Sequence, residues 1–264
     1  MKNKGFLGFL YGTAFGRILL KPLVSPSLSK FIGAFLDTRA SKIFIPSFIK
    51  RAKINLEDYI EKDFKSFNAC FSRKIKPELR PVADVGLVSP ADGYLSAFPI
   101  NKNSEFKVKN SIYTLSSLLG GDKKSDEFLG GTAVIIRLAV ENYHRYIYID
   151  NGSKGDNRFI PGKLHTVRPV ALASVPVFAE NCREYTFLNT AHFSEVAQIE
   201  VGAMLVGKIK NHHGKHEFTR GEEKGTFLYG GSTIILLFKK GAVTLSDKYS
   251  EEETPVLLGE KIGE

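Results

Sequence analysis

The residues whose types and spacing most suggest chemistry lie in the segment Gly230-Gly231-Ser232-Thr233, which leads directly into the apolar run 234–238. A glycine carbonyl directly before a serine hydroxyl suits an intramolecular N-to-O acyl transfer, because Gly231 has no side chain to hinder the approach and tolerates strained backbone. The resulting ester can undergo β-elimination, which leaves dehydroalanine at position 232 and, after hydrolysis, a pyruvoyl group and ammonia. The same residues are also typical of an ordinary turn that enters a strand.

The Gly-Gly-Ser-Thr segment is one of several short motifs along the chain. Five of them occur in a fixed order along the chain: Ser89-Pro90-Ala91-Asp92-Gly93, Tyr143-His144-Arg145, residues 162–167 (GKLHTV), residues 200–209 (EVGAMLVGKI) and Gly230-Gly231-Ser232-Thr233. Together they resemble the phosphatidylserine decarboxylase family, in its pyruvoyl-dependent, bacterial proenzyme type. The match covers roughly residues 80–245, about two thirds of the chain. The bacterial proenzymes of this family also carry a helical, membrane-seeking amino-terminal region.

The resemblance implies a role for each matching residue. Ser232 is expected to be the self-cleaving nucleophile and the precursor of the pyruvoyl cofactor, with cleavage between Gly231 and Ser232. Asp92 is expected to be the acid of a charge relay. This is consistent with the chemistry, because a serine hydroxyl is a poor nucleophile without a base, and a carboxylate that orients the base improves it. The alternative for Asp92 is an Asp-Gly turn of a hairpin.

The histidine is where this sequence departs from the family pattern. Many members read Tyr-His-Arg-x-His, with the second histidine as the base of the relay and the first serving the decarboxylation, but Ile147 stands at the second position here. The resemblance therefore leaves three possibilities. His144 serves both roles, His165 supplies the missing imidazole, or self-cleavage is slow or lost. His165 and His192 otherwise have structural positions without catalytic duty.

The function implied by the resemblance is that of a carboxy-lyase. The pyruvoyl group forms a Schiff base with the amine of phosphatidylserine and accepts the electrons released as CO2 leaves, and His144 protonates the carbanion to give phosphatidylethanolamine. The mature enzyme is expected to be a heterodimer of residues 1–231 and 232–264, held together by strands that paired before cleavage. A second hypothesis, favoured by Ile147, is a non-catalytic lipid-binding relative that never matures.

We expect no metal site. Three histidines occur in Asn211-His212-His213-Gly214-Lys215-His216, but Gly214 interrupts any helix that would align His212 with His216, and a solvated loop is the simpler interpretation. A zinc peptidase would need a second ligand pair, which His212 and His213 do not provide. The two cysteines, Cys70 and Cys182, are too few for a disulfide framework and predict buried, free thiols.

The order of predicted helices and strands along the chain, which must position these residues, indicates an α+β fold with the helices first. We expect a helical, basic region over 1–78 and a β-rich catalytic domain over 79–264. The apolar periodicity predicts helices over 5–20, from Ser25 to about Leu36, and over about 55–71, with one further turn of helix around 113–119. Strands are predicted at Gly93 to Phe98, Thr132 to Leu138, Arg145 to Ile149, Glu195 to Val201, Leu205 to Lys210 and Thr233 to Phe238.

The net charge of +9 lies entirely in residues 1–53, which contain ten basic residues and one acidic residue. Because these residues alternate with Phe, Leu and Ile, the segment favours an anionic membrane surface over nucleic acid. Arg17 and Lys21 interrupt the apolar run before the roughly 20 residues that a span requires, and no signal-peptide cleavage site follows. We expect a peripheral protein on the cytoplasmic side of the cell membrane. The alternative is a basic arm packed on its own domain or on a partner subunit.

Overall fold

The computed structural model describes residues 5–204, 208–230 and 232–264. It has the predicted α+β architecture, in which helices come first and antiparallel strands follow. The helices are α1 Phe6–Gly12, α2 Ala14–Leu23, α3 Pro26–Leu36, α4 Ile45–Ala52, α5 Phe67–Phe71, α6 Leu115–Leu119, α7 Pro169–Leu172 and α8 Val177–Glu180. The strands are β1 Leu87–Val88, β2 Gly93–Pro99, β3 Glu105–Val108, β4 Ser111–Thr114, β5 Thr132–Leu138, β6 Arg145–Ile147, β7 Gly152–Lys154, β8 Arg158–Ile160, β9 Arg183–Thr190, β10 Glu195–Val201, β11 Ile209–Asn211, β12 His216–Phe218, β13 Glu223–Phe227, β14 Ser232–Phe238, β15 Thr254–Val256 and β16 Lys261–Gly263.

The predicted helix over 5–20 is wrong in one respect, since it is divided into α1 and α2 at Thr13. This residue has extended backbone, and its hydroxyl accepts the N–H of Gly16 at 2.9 Å, which caps the start of α2. The prediction for α3 is confirmed. Ser25 caps this helix and Pro26 occupies its first turn, where the missing N–H costs nothing.

The predicted helix over 55–71 is also wrong, because only α5 and a 3-10 turn at Leu56–Asp58 form there. The N–H of Ile60 donates to the carbonyl of Lys74, so the chain between the two helical pieces pairs with a later segment instead of with itself. Ser66 then caps α5. Phe64, Phe67 and Phe71 are buried in a separate cluster with residues of α3 and α4, whereas Tyr59 belongs to the main core, so tertiary packing overrode local periodicity.

In the described part of the chain, nine strands form one antiparallel sheet in the order β12-β7-β9-β10-β14-β5-β2-β15, with β8 also paired to β9. The central strand β14 is buried along its whole length, as its unbroken apolar sequence predicts. Its first residue, Ser232, pairs with Leu138 of β5, and Thr233 pairs with Val201 of β10. Smaller sheets are formed by β11-β13-β6, by β1-β16 and by β3-β4.

Most of the strand predictions are confirmed, with small changes at their ends. Strands β5 and β10 have the predicted bounds, whereas β6 ends at Ile147 and β14 begins one residue earlier than predicted. The prediction over 205–210 is partly outside the described residues, and β11 begins at Ile209. Strands β9 and β13 were not predicted, because charged residues occupy buried positions in both strands.

The amino-terminal helices pack on the β-rich part through one face. Leu10, Tyr11, Leu20 and Val24 are buried in the same core as the large sheet, and the N–H of Leu164 donates to the carbonyl of Val24. By length and apolar content, none of the described helices could cross a membrane alone. The bent pair α2 and α3 passes that test only when the two are taken together.

Candidate active site

Ser232 lies at the start of the central strand of the large sheet, between β5 and β10. Its side chain is fully buried, and its hydroxyl oxygen has no hydrogen-bond partner among the described residues. A buried hydroxyl without a partner costs free energy, and the hydroxyl of Thr233 beside it has the same cost. The other half of the predicted cleavage bond, Gly231, lies outside the described residues.

His144 lies in the turn between β5 and β6 and is fully buried. Its Nδ1 donates to the carbonyl oxygen of Asn142 at 2.8 Å. Because a carbonyl can only accept, this bond places the ring proton on Nδ1 and leaves a lone pair on Nε2. Nε2 has no hydrogen-bond partner within the described ranges. The imidazole therefore has one nitrogen held by the backbone and one nitrogen available to accept a proton.

The surroundings of His144 keep its ring uncharged. Burial lowers the pKa of His144 to about 3; the Asn142 carbonyl and, more weakly, the backbone of Gly230 beside the ring raise it, and the charge of Arg73 lowers it further. The ring also packs on Phe71, with 4.2 Å between the ring centroids. Gly230 is two residues before Ser232, so the neutral imidazole and the buried hydroxyl both lie next to the same short segment. A neutral ring with a free lone pair meets one requirement of a general base, while a pKa near 3 makes it a weak base.

Asp92 is buried, but its described hydrogen bonds lead away from His144. Its carboxylate accepts from Arg80 Nε at 2.8 Å and Nη2 at 2.7 Å, and from the N–H of Leu258 at 2.8 Å. Ser232 and His144 thus both lie next to Gly230, whereas no described hydrogen bond joins Asp92 to the imidazole. The role of Asp92 as a relay acid stays a prediction.

The two other candidate histidines each lie beside a carboxylate. His165 is buried, with Nδ1 at 3.1 Å from the hydroxyl of Tyr11, while its Nε2 lies 3.3 Å from a carboxylate oxygen of Glu180 without a hydrogen bond to any described residue. His192 is mostly exposed and contacts the buried carboxylate of Asp150 at 3.0 Å. Both contacts hold loops or helices in place, which agrees with structural roles.

The cluster of three histidines forms a loop and the start of β12, and each ring faces a glutamate. His212 pairs with Glu223 at 2.8 Å, and His216 pairs with Glu222 at 2.7 Å. His213, His216 and Glu222 offer donor atoms within 4.8 Å of one another, a spacing compatible with a metal ion. They are partly exposed and belong to the chain segment that precedes β14. Both cysteines are buried and free, as predicted, and burial raises the pKa of each thiol to about 11.

A cleft of about 470 Å³ opens beside the start of β14. Its wall includes Leu138, which pairs with Ser232, and Gly230, which lies beside His144. Arg137 also lines the cleft, and Glu253 holds its guanidinium through two hydrogen bonds of 2.8 Å. A cofactor made from Ser232 itself would need no binding residues of its own. It would need a strand that holds it, which β14 provides, and access for substrate, and the cleft reaches the neighbours of Ser232, Leu138 and Gly230.

Comparison with known proteins identifies the family. The family model described as phosphatidylserine decarboxylase matches residues 67–264. The chain belongs to the phosphatidylserine decarboxylase family. It is 45% identical to phosphatidylserine decarboxylase proenzyme 2 of Clostridium acetobutylicum, over 99% of this chain and 92% of that protein. It is 39% identical to the proenzyme of Ruminiclostridium cellulolyticum, over 97% and 90%, and 36% identical to that of Clostridium novyi, over 98% and 92%.

Sequence reasoning missed three groups around the decarboxylase site. The carbonyl of Asn142 holds the catalytic candidate His144, Phe71 packs on its ring, and Arg80 binds Asp92. A backbone carbonyl leaves no mark in a sequence. Phe71 was expected only as a residue on the buried face of a helix. Arg80 directly precedes Pro81, and nothing in that pattern indicates a partner twelve residues later.

Proposed function

We propose that this protein is a phosphatidylserine decarboxylase that matures by cleaving its own chain between Gly231 and Ser232. The observation that supports this most directly is the pair of buried, unpartnered atoms, Ser232 Oγ and His144 Nε2, next to Gly230 in a chain of this family. Leaving these two atoms unpaired costs free energy, and a reaction between Ser232 and the residue before it would account for that cost. The curated relatives are named as proenzymes, which agrees with self-cleavage.

Maturation begins when His144 Nε2 takes the proton of the Ser232 hydroxyl. The oxygen attacks the Gly231 carbonyl, the peptide C–N bond breaks, and the proton returns to the amide nitrogen as that nitrogen leaves. The ester that forms then undergoes β-elimination, which expels the Gly231 carboxylate and leaves dehydroalanine at position 232. Water hydrolyses that group to a pyruvoyl group and ammonia. The alternative base, His165, is disfavoured because Tyr11 and Glu180 face its nitrogens.

The pyruvoyl group would supply an electron sink for the carbon–carbon bond that breaks as CO2 leaves phosphatidylserine. The protein supplies the proton transfers. His144 is neutral before substrate arrives, so it can accept the proton that the substrate ammonium must lose to become nucleophilic. It then returns a proton to the substrate carbon after CO2 has left. One imidazole thereby serves both stages, which explains how Ile147 is tolerated as a buried core residue.

The two products of cleavage would stay together as a heterodimer. Strand β14 contributes to the sheet between β5 and β10, while β15 pairs with β2 and β16 pairs with β1. Glu253 and the N–H of Leu258 add contacts to Arg137 and Asp92 across the two chains. Residues 232–264 alone would be too short to form an independent core.

The amino-terminal region supports a peripheral position on the cytoplasmic side of the cell membrane. Nine large apolar side chains between Phe6 and Phe44 are exposed, and the basic residues of the chain are concentrated in the same region. Exposed apolar patches beside cationic side chains suit insertion into an anionic lipid surface. The opposite faces of these helices pack on the β-rich part. The region therefore has one face suited to a membrane and one face packed on its own domain, which are the two interpretations that the sequence left open.

Intact-mass measurement of the purified protein tests the proposal. We expect two chains, of which the smaller begins at position 232 with a blocked amino terminus, and release of CO2 from phosphatidylserine. Ser232→Ala should give one full-length chain without decarboxylation. Thr233→Val is a matched control, because its hydroxyl is also buried and unpartnered but has no assigned role. Two chains from Ser232→Ala would refute the assignment.

A further inference from the structure

The cleft beside Ser232 continues into a second, more apolar depression. This groove has a volume of about 570 Å³ and is lined by side chains of α3, α4 and α5, including Phe35, Phe48 and Phe67, and by Phe44 just before α4. The cleft and the groove share four lining residues, Val140, Glu141, Arg168 and Tyr229. One continuous surface therefore leads from the start of β14 to the exposed apolar helices, and these four residues form the boundary between its two parts.

Arg168 is the cation at that boundary. It directly precedes α7 and is exposed, and its guanidinium makes no hydrogen bond or ion pair with any described residue. Its backbone N–H contacts the hydroxyl of Thr166. Arg137, the other arginine of the cleft, is already neutralised by Glu253. Glu141 shares the boundary, but no ion pair joins it to Arg168 in the described structure. Arg168 therefore presents an uncompensated positive charge.

The chemistry of a serine phospholipid matches this order of surfaces. Its amine and carboxylate must reach position 232, its acyl chains must stay in an apolar environment, and its phosphodiester lies between them. The phosphodiester is a permanent anion, and a guanidinium binds such oxygens through paired hydrogen bonds. A lipid whose serine lies in the cleft must pass Arg168 before its chains reach the groove.

We propose that Arg168 binds the phosphodiester of the phospholipid substrate and thereby makes the enzyme specific for a serine carried on a phosphate. This inference rests on the proposed decarboxylation. Arg168 positions the substrate and takes no part in proton transfer, so its loss should weaken binding of ground state and transition state equally. That kind of loss raises KM and leaves kcat nearly unchanged.

The test uses the matured full-length enzyme and dihexanoyl phosphatidylserine below its micelle concentration, so that membrane binding does not enter the measurement. Arg168→Gln should raise KM by about 10- to 100-fold, which corresponds to a hydrogen bond to a charged group. Arg168→Lys should lie between Arg168→Gln and the unmodified enzyme. Arg39→Gln, which removes the same charge from another exposed arginine, should leave KM unchanged.

A competitor without phosphate separates phosphate binding from a general change of the site. O-hexyl-L-serine has the amine and carboxylate but no phosphodiester, so its inhibition constant should be the same for the unmodified enzyme and for Arg168→Gln. An equal loss for competitor and phospholipid, or an unchanged KM, would overturn the proposal. Failure of the decarboxylase proposal is seen separately, as a single chain in the intact mass of the unmodified protein.

Discussion

The Nδ1 atom of His144 lies 2.8 Å from the carbonyl oxygen of Asn142, two residues earlier in the same turn. The turn is closed by two further bonds, from the N–H of Asn142 to the carbonyl of Ala139 and from the N–H of Ala139 to the Asn142 side chain. A backbone carbonyl thus fixes the tautomer of the imidazole, which is the task that a carboxylate performs in a Ser-His-Asp triad. In the proposed mechanism, this carbonyl takes the place of Asp92, which is bound to Arg80.

Replacement of His144 tests whether one imidazole serves both stages. We expect His144→Ala to remain a single chain without activity, because the Ser232 hydroxyl then has no base. The readout is a denaturing gel with intact mass after expression. His165→Ala should mature, since Tyr11 and Glu180 face that ring. Ile147→Val controls for a mild core change and should also mature. A His144→Ala protein that matures but does not decarboxylate would show that the cleavage base lies elsewhere, and arrest of His165→Ala would point to His165.

The pH dependence of maturation should reveal the lowered pKa of His144. A base with a pKa of about 3 is neutral throughout the range from pH 8 to 5, so the rate constant of cleavage should stay nearly constant there. If the base were a histidine with the ordinary pKa near 6.5, the rate constant of cleavage would fall about 30-fold over the same range, because protonation would remove the lone pair of the base. Precursor made by a short cell-free synthesis and then shifted in pH allows the measurement on a gel. A decline centred near pH 6.5 would contradict a buried, neutral base.

The same shift affects stability in a defined direction. In the unfolded chain His144 takes up a proton near pH 6.5, whereas in the folded chain it does not until about pH 3. Its burial therefore opposes folding increasingly as pH falls below 6.5, because the unfolded state binds more protons. Circular dichroism at each pH shows whether the precursor is still folded, which separates a loss of structure from a loss of cleavage.

The sequence predicted the structure best where a single local signal determines the start or the type of an element. The apolar run after Ser232 predicts a buried strand, and β14 is buried at each of its positions. Ser25 and Pro26 predict the start of α3, because capping and a fixed proline backbone are local effects. The family motifs contain both Ser232 and His144, which the structure places beside Gly230.

Features that depend on distant partners were not predictable. Residues 59–61 have helical spacing but pair with a later segment, through a bond from Ile60 to Lys74. Strand β13 was missed because it contains Lys224, whose charge suggests solvent, although its ammonium lies 2.7 Å from the buried carboxylate of Glu200. Burial of such a pair is favourable only with the partner in place, and a local sequence pattern does not contain that information.

Asp92 offers a test between the relay role and a structural role. It joins Arg80 in the larger expected chain to Leu258 in the smaller one. If this contact is its task, Asp92→Asn should still mature but should lose stability, because Arg80 is left without its charge partner in a mostly buried place. Breaking a buried pair costs about 3 kcal/mol or more. The readouts are the rate of cleavage and the denaturant midpoint of the mature protein.

Arg80→Gln is the matched variant, since it removes the other half of the same pair. A structural contact predicts similar losses of stability for both variants and normal cleavage in both. A relay acid predicts that Asp92→Asn remains uncleaved whereas Arg80→Gln matures. The second outcome would show that Asp92 acts as the relay acid, as the family resemblance implies.

Membrane attachment should have an electrostatic part and an apolar part, carried by neighbouring residues of α2. Protein should bind vesicles that contain anionic lipid and be partly released by high salt, because salt screens surface charge but not apolar insertion. Arg17→Gln with Lys21→Gln should weaken the salt-sensitive part.

Phe15→Ser with Ile18→Ser should reduce the salt-resistant part by about 10-fold or more, since each apolar side chain contributes about 1.5–3 kcal/mol when buried. Phe15 and Ile18 are 63% and 61% exposed, and Phe159→Ser is the control, because Phe159 is 62% exposed on β8 in the β-rich part. Equal binding to neutral and anionic vesicles at low salt would refute the electrostatic part, and an equal effect of Phe159→Ser would refute insertion through α2.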